Sequence, residues 1–200
     1  KPIKKEIARD ALGLPQKDKI LLFGSYGGNN SYNKGKDLLE ESIKALHLES
    51  KDFHLAIFGE TSNIKPFANL FPVHNFGHLH DDVSLRALYS SVDAVVVPSR
   101  QEAFCQVGSE SQACGTPVVA FDSSGLTDVV DHKKTGYLAK SFDVEDLIAG
   151  IKWVLSNNNQ DGLSKESASR AKLIFSSKNV AKQYKSIYEN AIDFYMAKKL

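Results

Sequence analysis

Six short apolar runs alternate with helical patterns along this chain, and that alternation limits its folds more than any other feature. The runs are Lys19–Gly24, Phe53–Gly59, Val73–Gly77, Asp93–Pro98, Pro117–Asp122 and Gly136–Ala139. Most read as continuous Val, Ile, Leu and Phe rather than as apolar-polar alternation, the pattern of parallel strands covered on both faces. Between them the spacing predicts helices over Asp37–Leu48, Ser84–Ser91, Val107–Cys114 and Val144–Leu155, the last with Asp143 as N-cap. The chain is therefore expected to be α/β: a Rossmann-like, doubly wound parallel sheet of about six strands, with helices on both faces and right-handed crossovers. Extra C-terminal helices are expected over Lys165–Phe175 and Lys178–Leu200. The last carries Val180, Tyr184, Ile187, Tyr188, Ala191 and Tyr195 on one stripe, suited to packing on the sheet or on something outside this sequence. Two units follow: residues 1–177 as the Rossmann-like body and 178–200 as a closing helix.

Composition narrows the function classes. Two hundred residues at 42% hydrophobic suffice for a sizeable core. The 25 basic and 24 acidic residues leave a formal charge of +1 and are well mixed, which argues against nucleic acid as a partner. No apolar run approaches the roughly 20 residues that span a bilayer. The opening Lys-Pro-Ile-Lys-Lys has neither an initiator Met nor an apolar signal core, and reads as a mature piece or an excised fragment. Cys105 and Cys114, nine residues apart, match no zinc-ligand spacing and read as reduced structural thiols, which points to the cytoplasm. Asn29-Asn30-Ser31 has the form of a glycosylation sequon and reads as polar loop. The six histidines, His78 and His80 included, form no metal-site spacing, and no G-x-S-x-G elbow supports a serine nucleophile.

Three segments could carry chemistry. Residues 24–36, with Ser25, Gly27, Gly28, Lys34 and Gly35, combine glycines that let amides approach phosphate oxygens with a lysine. The segment has neither Walker A nor dinucleotide-fingerprint spacing, so a solvated polar loop is an equal reading. Pro98-Ser99-Arg100-Gln101-Glu102 leads from the fourth run into a helix carrying Glu110. The two carboxylates would stand roughly 10–12 Å apart at about 1.5 Å rise per residue, too far for a retaining glycosidase pair but suited to two ends of one extended ligand. As isolated glutamates they would be surface residues. Ser124-Gly125-Leu126-Thr127-Asp128 offers amides and hydroxyls to an anion, or is an ordinary strand-to-helix turn.

Taken together, these residues resemble the family-4 retaining glycosyltransferases of the GT-B fold, and more narrowly those that build bacterial surface and capsular polysaccharides. The resemblance rests on Pro98-Ser99, Glu102-x7-Glu110 and Ala113-Cys114-Gly115-Thr116-Pro117, with support from Lys34-Gly35, Phe58-Gly59, Phe76-Gly77-His78-Leu79 and Thr135-Gly136-Tyr137. It implies the C-terminal, donor-binding half of a two-domain enzyme that takes a sugar from a UDP- or GDP-sugar to a glycan or lipid-linked acceptor. The acceptor-binding N-terminal domain would be a partner outside this sequence, and the fragment would be inactive alone. The closing helix would pack toward that domain, and any contact with the inner membrane face would run through it.

The resemblance also implies roles. Glu102 would meet donor-sugar hydroxyls at the reacting face, and Glu110 the ribose diol. The amides of Phe104, Cys105 and Gln106 would approach sugar or phosphates. Lys34 would neutralise the diphosphate, with no metal or other cofactor. Ser25, Gly27, Gly28 and Gly59 would line the donor site. Ser25 stands where the family commonly has arginine, leaving Arg100 as a candidate second cation. Cys105 stands where glycine is usual, and a side chain there could crowd the donor sugar or alter donor choice. Two other readings fit the same residues: a non-catalytic nucleotide or phosphosugar-binding module, and a GT-B nucleotide-sugar epimerase.

Overall fold

A computed structural model describes residues 2–25, 32–49, 53–59, 65–156 and 160–198. The strands are β1 (Lys19–Ser25), β2 (Phe53–Gly59), β3 (Val73–Asn75), β4 (Ala94–Val97), β5 (Val118–Phe121) and β6 (Gly136–Ala139). The helices are α1 (Lys5–Ala11), α2 (Lys36–Glu49), α3 (Lys65–Ala68), α4 (Asp82–Ser91), α5 (Gln106–Ala113), α6 (Leu126–Val129), α7 (Val144–Ser156), α8 (Gln160–Phe175) and α9 (Ser177–Ala197). All six strands pair in parallel, in the order β3-β2-β1-β4-β5-β6. This is the expected doubly wound Rossmann-like sheet.

Strand side chains alternate faces, and each face has its own core. Leu21, Leu55, Ile57, Val96 and Val119 pack with α2 and α7 residues such as Ile43 and Ile151. Ile20, Leu22, Phe58, Val95 and Val118 pack on the other face with Leu88, Tyr89 and Val129. Burial on both sides is why the runs lack polar alternation. Asp143 caps α7 as expected, its Oδ1 accepting the Asp146 N–H at 3.0 Å.

Three short helices were not anticipated. α1 precedes the first strand, and its register is set by one buried cation. Arg9, 3% exposed, donates to Asp93 Oδ2 at 2.8 Å and to the carbonyls of Ser91, Pro15 and Gln16. Asp93 also accepts from Lys5 Nζ and the Ile20 N–H. The remaining two, α3 and α6, are single turns, too short to show a period. α8 begins at Gln160, before the expected Lys165, and carries Gly162 inside it.

α9 departs from its surroundings. None of its residues is buried; Tyr184, Ile187, Tyr188, Ile192, Phe194, Tyr195 and Met196 are 55–64% exposed. Of the two packings expected for its stripe, the one against the sheet body does not occur among the described residues. No helix among them is long and apolar enough to cross a membrane.

Asp93→Ala should strand the Arg9 guanidinium in the core. The expected loss is about 3 kcal/mol, and a fall in melting temperature of roughly 6–12 °C, read by thermal denaturation.

Candidate functional site

Strand order reverses between β1 and β4, because the chain leaves β1 toward β2 on one side and returns to β4 on the other. Loops diverge at such a point and open a crevice at the strands' carboxyl ends. A cavity of about 560 Å³ lies there, walled by Phe23 and Gly24 from β1, by Val97 at the end of β4 and by Pro98 and Ser99 just after it. Lys34, Glu102, Phe104, Cys105, Gln106 and Glu110 also line it. The fold thus gathers Lys34, Glu102 and Glu110 around one space.

Glu102 is fixed by its neighbours. Its Oε1 accepts from Lys34 Nζ at 2.7 Å and from Ser99 Oγ at 2.8 Å. Its backbone N–H donates to Ser124 Oγ at 3.0 Å, and its carbonyl accepts the Gly125 N–H at 3.0 Å. Ser123 Oγ donates to the Arg100 carbonyl one step earlier. Ser124 and Gly125 thus form a strand-to-helix turn that also braces the glutamate loop. A Cβ on Gly125 would lie 2.4 Å from the Ala103 carbonyl oxygen, so glycine permits the approach.

Lys34 reaches the cavity through the bend at Gly35. That glycine has φ +62°, and a Cβ on it would lie 1.8 Å from the Pro98 carbonyl oxygen. Arg100 holds the same bend. It donates to both carboxylate oxygens of Asp37 (2.8 and 2.6 Å) and to the Tyr32 carbonyl, and its guanidinium lies 3.9 Å over the Tyr32 ring. The Arg100 N–H donates to the Asn33 carbonyl at 2.7 Å. The Arg100 hydrogen bond holds the Asp37 carboxyl below the usual range. Arg100, expected as a candidate second cation, is not among the described residues that line the cavity; Asp37 engages it in a bidentate pair.

Of the other expected residues, Gly59 ends β2 beside Ser25 and donates its N–H to the Gly77 carbonyl at 2.7 Å; Gly59 is not among the described residues that line the cavity, and the Ser25 side chain lies outside the described residues. Gly27 and Gly28 lie outside the described residues.

α5 starts at the cavity with Cys105 as its N-cap, at φ 69° and ψ 76°, and no side-chain cap bond. A left-handed residue here explains why glycine suits the position. The Cys105 side chain belongs to the core cluster beneath the site and is 6% exposed. Burial pushes its thiol up to about 11. Both cysteines are free thiols. Phe104 extends outward at 42% exposure and meets the Phe175 ring edge-on at 5.2 Å.

Glu110 opens into the cavity from the second turn of α5, and its Oε2 accepts from Tyr89 Oη at 3.0 Å. Burial, aided by Asp82, pushes its carboxyl above the usual range, while the Tyr89 hydrogen bond opposes the rise. Reasoning from the sequence did not single out Tyr89 within the predicted helix Ser84–Ser91. The signal was its hydroxyl, since a buried tyrosine needs a polar partner. His54 and His74 meet at 2.9 Å on neighbouring strands, away from the cavity. Among the described residues no group of three metal-ligand types is gathered.

A family model described as "Glycosyl transferases group 1" matches residues 4–173. The chain belongs to this glycosyltransferase family. D-inositol 3-phosphate glycosyltransferase of Xylanimonas cellulosilytica is 33% identical over 145 residues, covering 68% of this chain and 33% of that protein. The Corynebacterium aurimucosum protein of the same name is 30% identical over 199 residues, covering 94% and 47%. The chain thus spans about a third to a half of these relatives' length. Sucrose-phosphate synthase from Thermosynechococcus elongatus superposes with a TM-score of 0.77 at 27% identity, covering 96% of this chain and 49% of the synthase. Anabaena HepE in complex with UDP-glucose superposes with a TM-score of 0.74 at 19% identity, covering 92% and 52%, and shares the fold.

Two outcomes are expected of this glycosyltransferase domain. A disulfide reagent at pH 8 should modify Cys105 far more slowly than the half-buried Cys114, since Cys105 is both more enclosed and poorly ionised; mass spectrometry of the labelled peptides reads the difference. Gly35→Ala should lower stability by at least about 1 kcal/mol, measured by urea unfolding, because the new Cβ cannot share space with the Pro98 carbonyl.

Proposed function

We propose that this chain is the donor-binding half of a retaining glycosyltransferase, one that moves a sugar from a UDP- or GDP-sugar to a glycan or lipid-linked acceptor of the surface-polysaccharide type. The observation that carries the reading is a single cavity at the strand-order reversal lined by Lys34, Glu102 and Glu110 together. A nucleoside diphosphate sugar presents a diol, a dianionic bridge and a second set of hydroxyls in sequence. The three side chains suit those parts in that order from Glu110 to Glu102.

Glu110 accepts from the two ribose hydroxyls. The α5 N-terminus, with the amides of Phe104 to Gln106, faces the phosphates, where backbone N–H groups favour negative charge. Lys34 has three N–H donors, so its bond to Glu102 leaves two for the diphosphate. As the bond from sugar C1 to the diphosphate oxygen breaks, the leaving group takes the electron pair, and Lys34 with the helix terminus stabilises that charge in place of a metal. Glu102, held by Ser99 and Lys34, meets the sugar hydroxyls. The Cys105 side chain points into the core, so the donor sugar meets the Cys105 backbone rather than its thiol.

Residues 178–200 form the part that meets the N-terminal, acceptor-binding domain, and the exposed aromatic stripe of α9 is the surface that contact would cover. The relatives' greater length is consistent with such a domain. Catalysis needs both halves, so this chain alone binds donor without turnover, and any position at the inner membrane face comes from the other domain.

Calorimetric titration with UDP and GDP tests the reading. The chain should bind at least one of them with EDTA present. Lys34→Ala should weaken the diphosphate, relative to the nucleoside, by roughly tenfold to a hundredfold, the worth of a hydrogen bond to a charged group. Absence of binding by the unaltered chain would remove the proposal.

A further inference from the structure

Tyr89 has a role that its burial alone does not explain. It is 2% exposed, sits on α4, and packs edge-on against Phe58 with ring centroids 5.8 Å apart. A phenylalanine would satisfy that packing. The hydroxyl instead reaches the cavity wall and donates to Glu110 Oε2 at 3.0 Å. The Tyr89 carbonyl accepts from Thr116 Oγ1 at 2.5 Å, which fixes the backbone behind it. A phenol held at both its ring and its main chain is a rigid donor, whereas Glu110 is a three-bond side chain open to solvent.

We propose that Tyr89 is a positioning residue: its hydroxyl holds one oxygen of Glu110 and leaves the other to grip a ligand's vicinal diol. The inference rests on the donor-site reading above and adds to it the group that orients the diol clamp. A carboxylate free to rotate would lose rotamer freedom on binding, at a cost that pre-organisation removes. The pinned carboxylate accepts a hydroxyl without first choosing a conformation.

The bond also bears on charge. Glu110 faces Tyr89 and Asp82 from α4, Cys105 and Cys114 at the two ends of its own helix, and Lys34 and Glu102 across the cavity, with Arg86 of α4 near Cys114. Burial raises its carboxyl first and Asp82 adds to the rise. The Tyr89 hydrogen bond is the contact that pulls it back down. Only the ionised form has every lone pair free for a diol. The grip is therefore present above the carboxyl's titration and fades as pH falls through it. Without the hydroxyl that fading moves to higher pH.

The test compares UDP and GDP with their 2′-deoxy counterparts, titrated into the full chain across pH 4.5 to 8. The unaltered protein should favour the ribonucleotide by about tenfold, roughly one hydrogen bond to a charged acceptor. Glu110→Gln should abolish most of that preference. Tyr89→Phe should reduce it to about twofold and move its pH midpoint up, with far-ultraviolet circular dichroism unchanged. Adding Tyr89→Phe to Glu110→Gln should cost nothing further. Should Tyr89→Phe not fold, 3-fluorotyrosine at position 89 keeps the ring and sharpens the donor, and should move the midpoint down. The inference is overturned if Tyr89→Phe keeps the tenfold preference and the original midpoint while Glu110→Gln loses both, or if fluorination leaves the midpoint in place. Failure of the unaltered protein to bind any nucleoside diphosphate would sink the donor-site reading, and this inference with it.

Discussion

An all-parallel sheet can close neither of its faces by itself, and most of this structure answers that constraint. Each strand sends alternate residues into two separate cores, so helices must lie on both sides and each crossover must pass over the sheet. Winding from β1 toward β3, and then from β1's other side toward β6, forces one place where neighbouring crossovers part. The cavity is a consequence of that winding. No residue within it had to be selected to make the space; residues had only to be selected to fill its rim.

The rim is held by polar bonds rather than by packing. Glu102 is tied on four sides by Ser99, Lys34, Ser124 and Gly125. Arg100 and Asp37 clamp the bend that delivers Lys34. A chain of hydrogen bonds thus runs from the lysine loop through the glutamate loop to the turn after β5. Tyr32, Asn33, Gln101 and Ala103 of these loops are exposed, so these bonds stand in for a core. Glu110 differs: it rides on a helix and takes its order from Tyr89, a core residue with one polar atom at the surface of the cavity.

Legibility followed the physics of each element. β2 and β6 were readable to the residue because branched apolar runs ended at glycine or at a charged residue. The α7 start was readable because Asp143 is a good cap. α1 was not, because it is held by Arg9 reaching Asp93 across more than eighty residues, and no local pattern encodes that. Ser124 and Gly125 carried two readings in the sequence; in the structure they form the strand-to-helix turn and bond to the Glu102 backbone. Arg100 pairs with Asp37, remote in sequence, which has the matching geometry. The Cys105 side chain packs in the core cluster beneath the site, and its backbone is left-handed there.

Composition and strand runs were enough to establish the α/β class, and the Glu102–Glu110 block with its neighbouring motifs marked a segment that lines the cavity, because period and turn residues are local properties. Which side chains face one another was settled only when β1 and β4 came together. Lys34 meets Glu102, and Tyr89 meets Glu110, across separations that propensity and spacing do not span, since such pairings follow from the winding of the sheet rather than from neighbours along the chain.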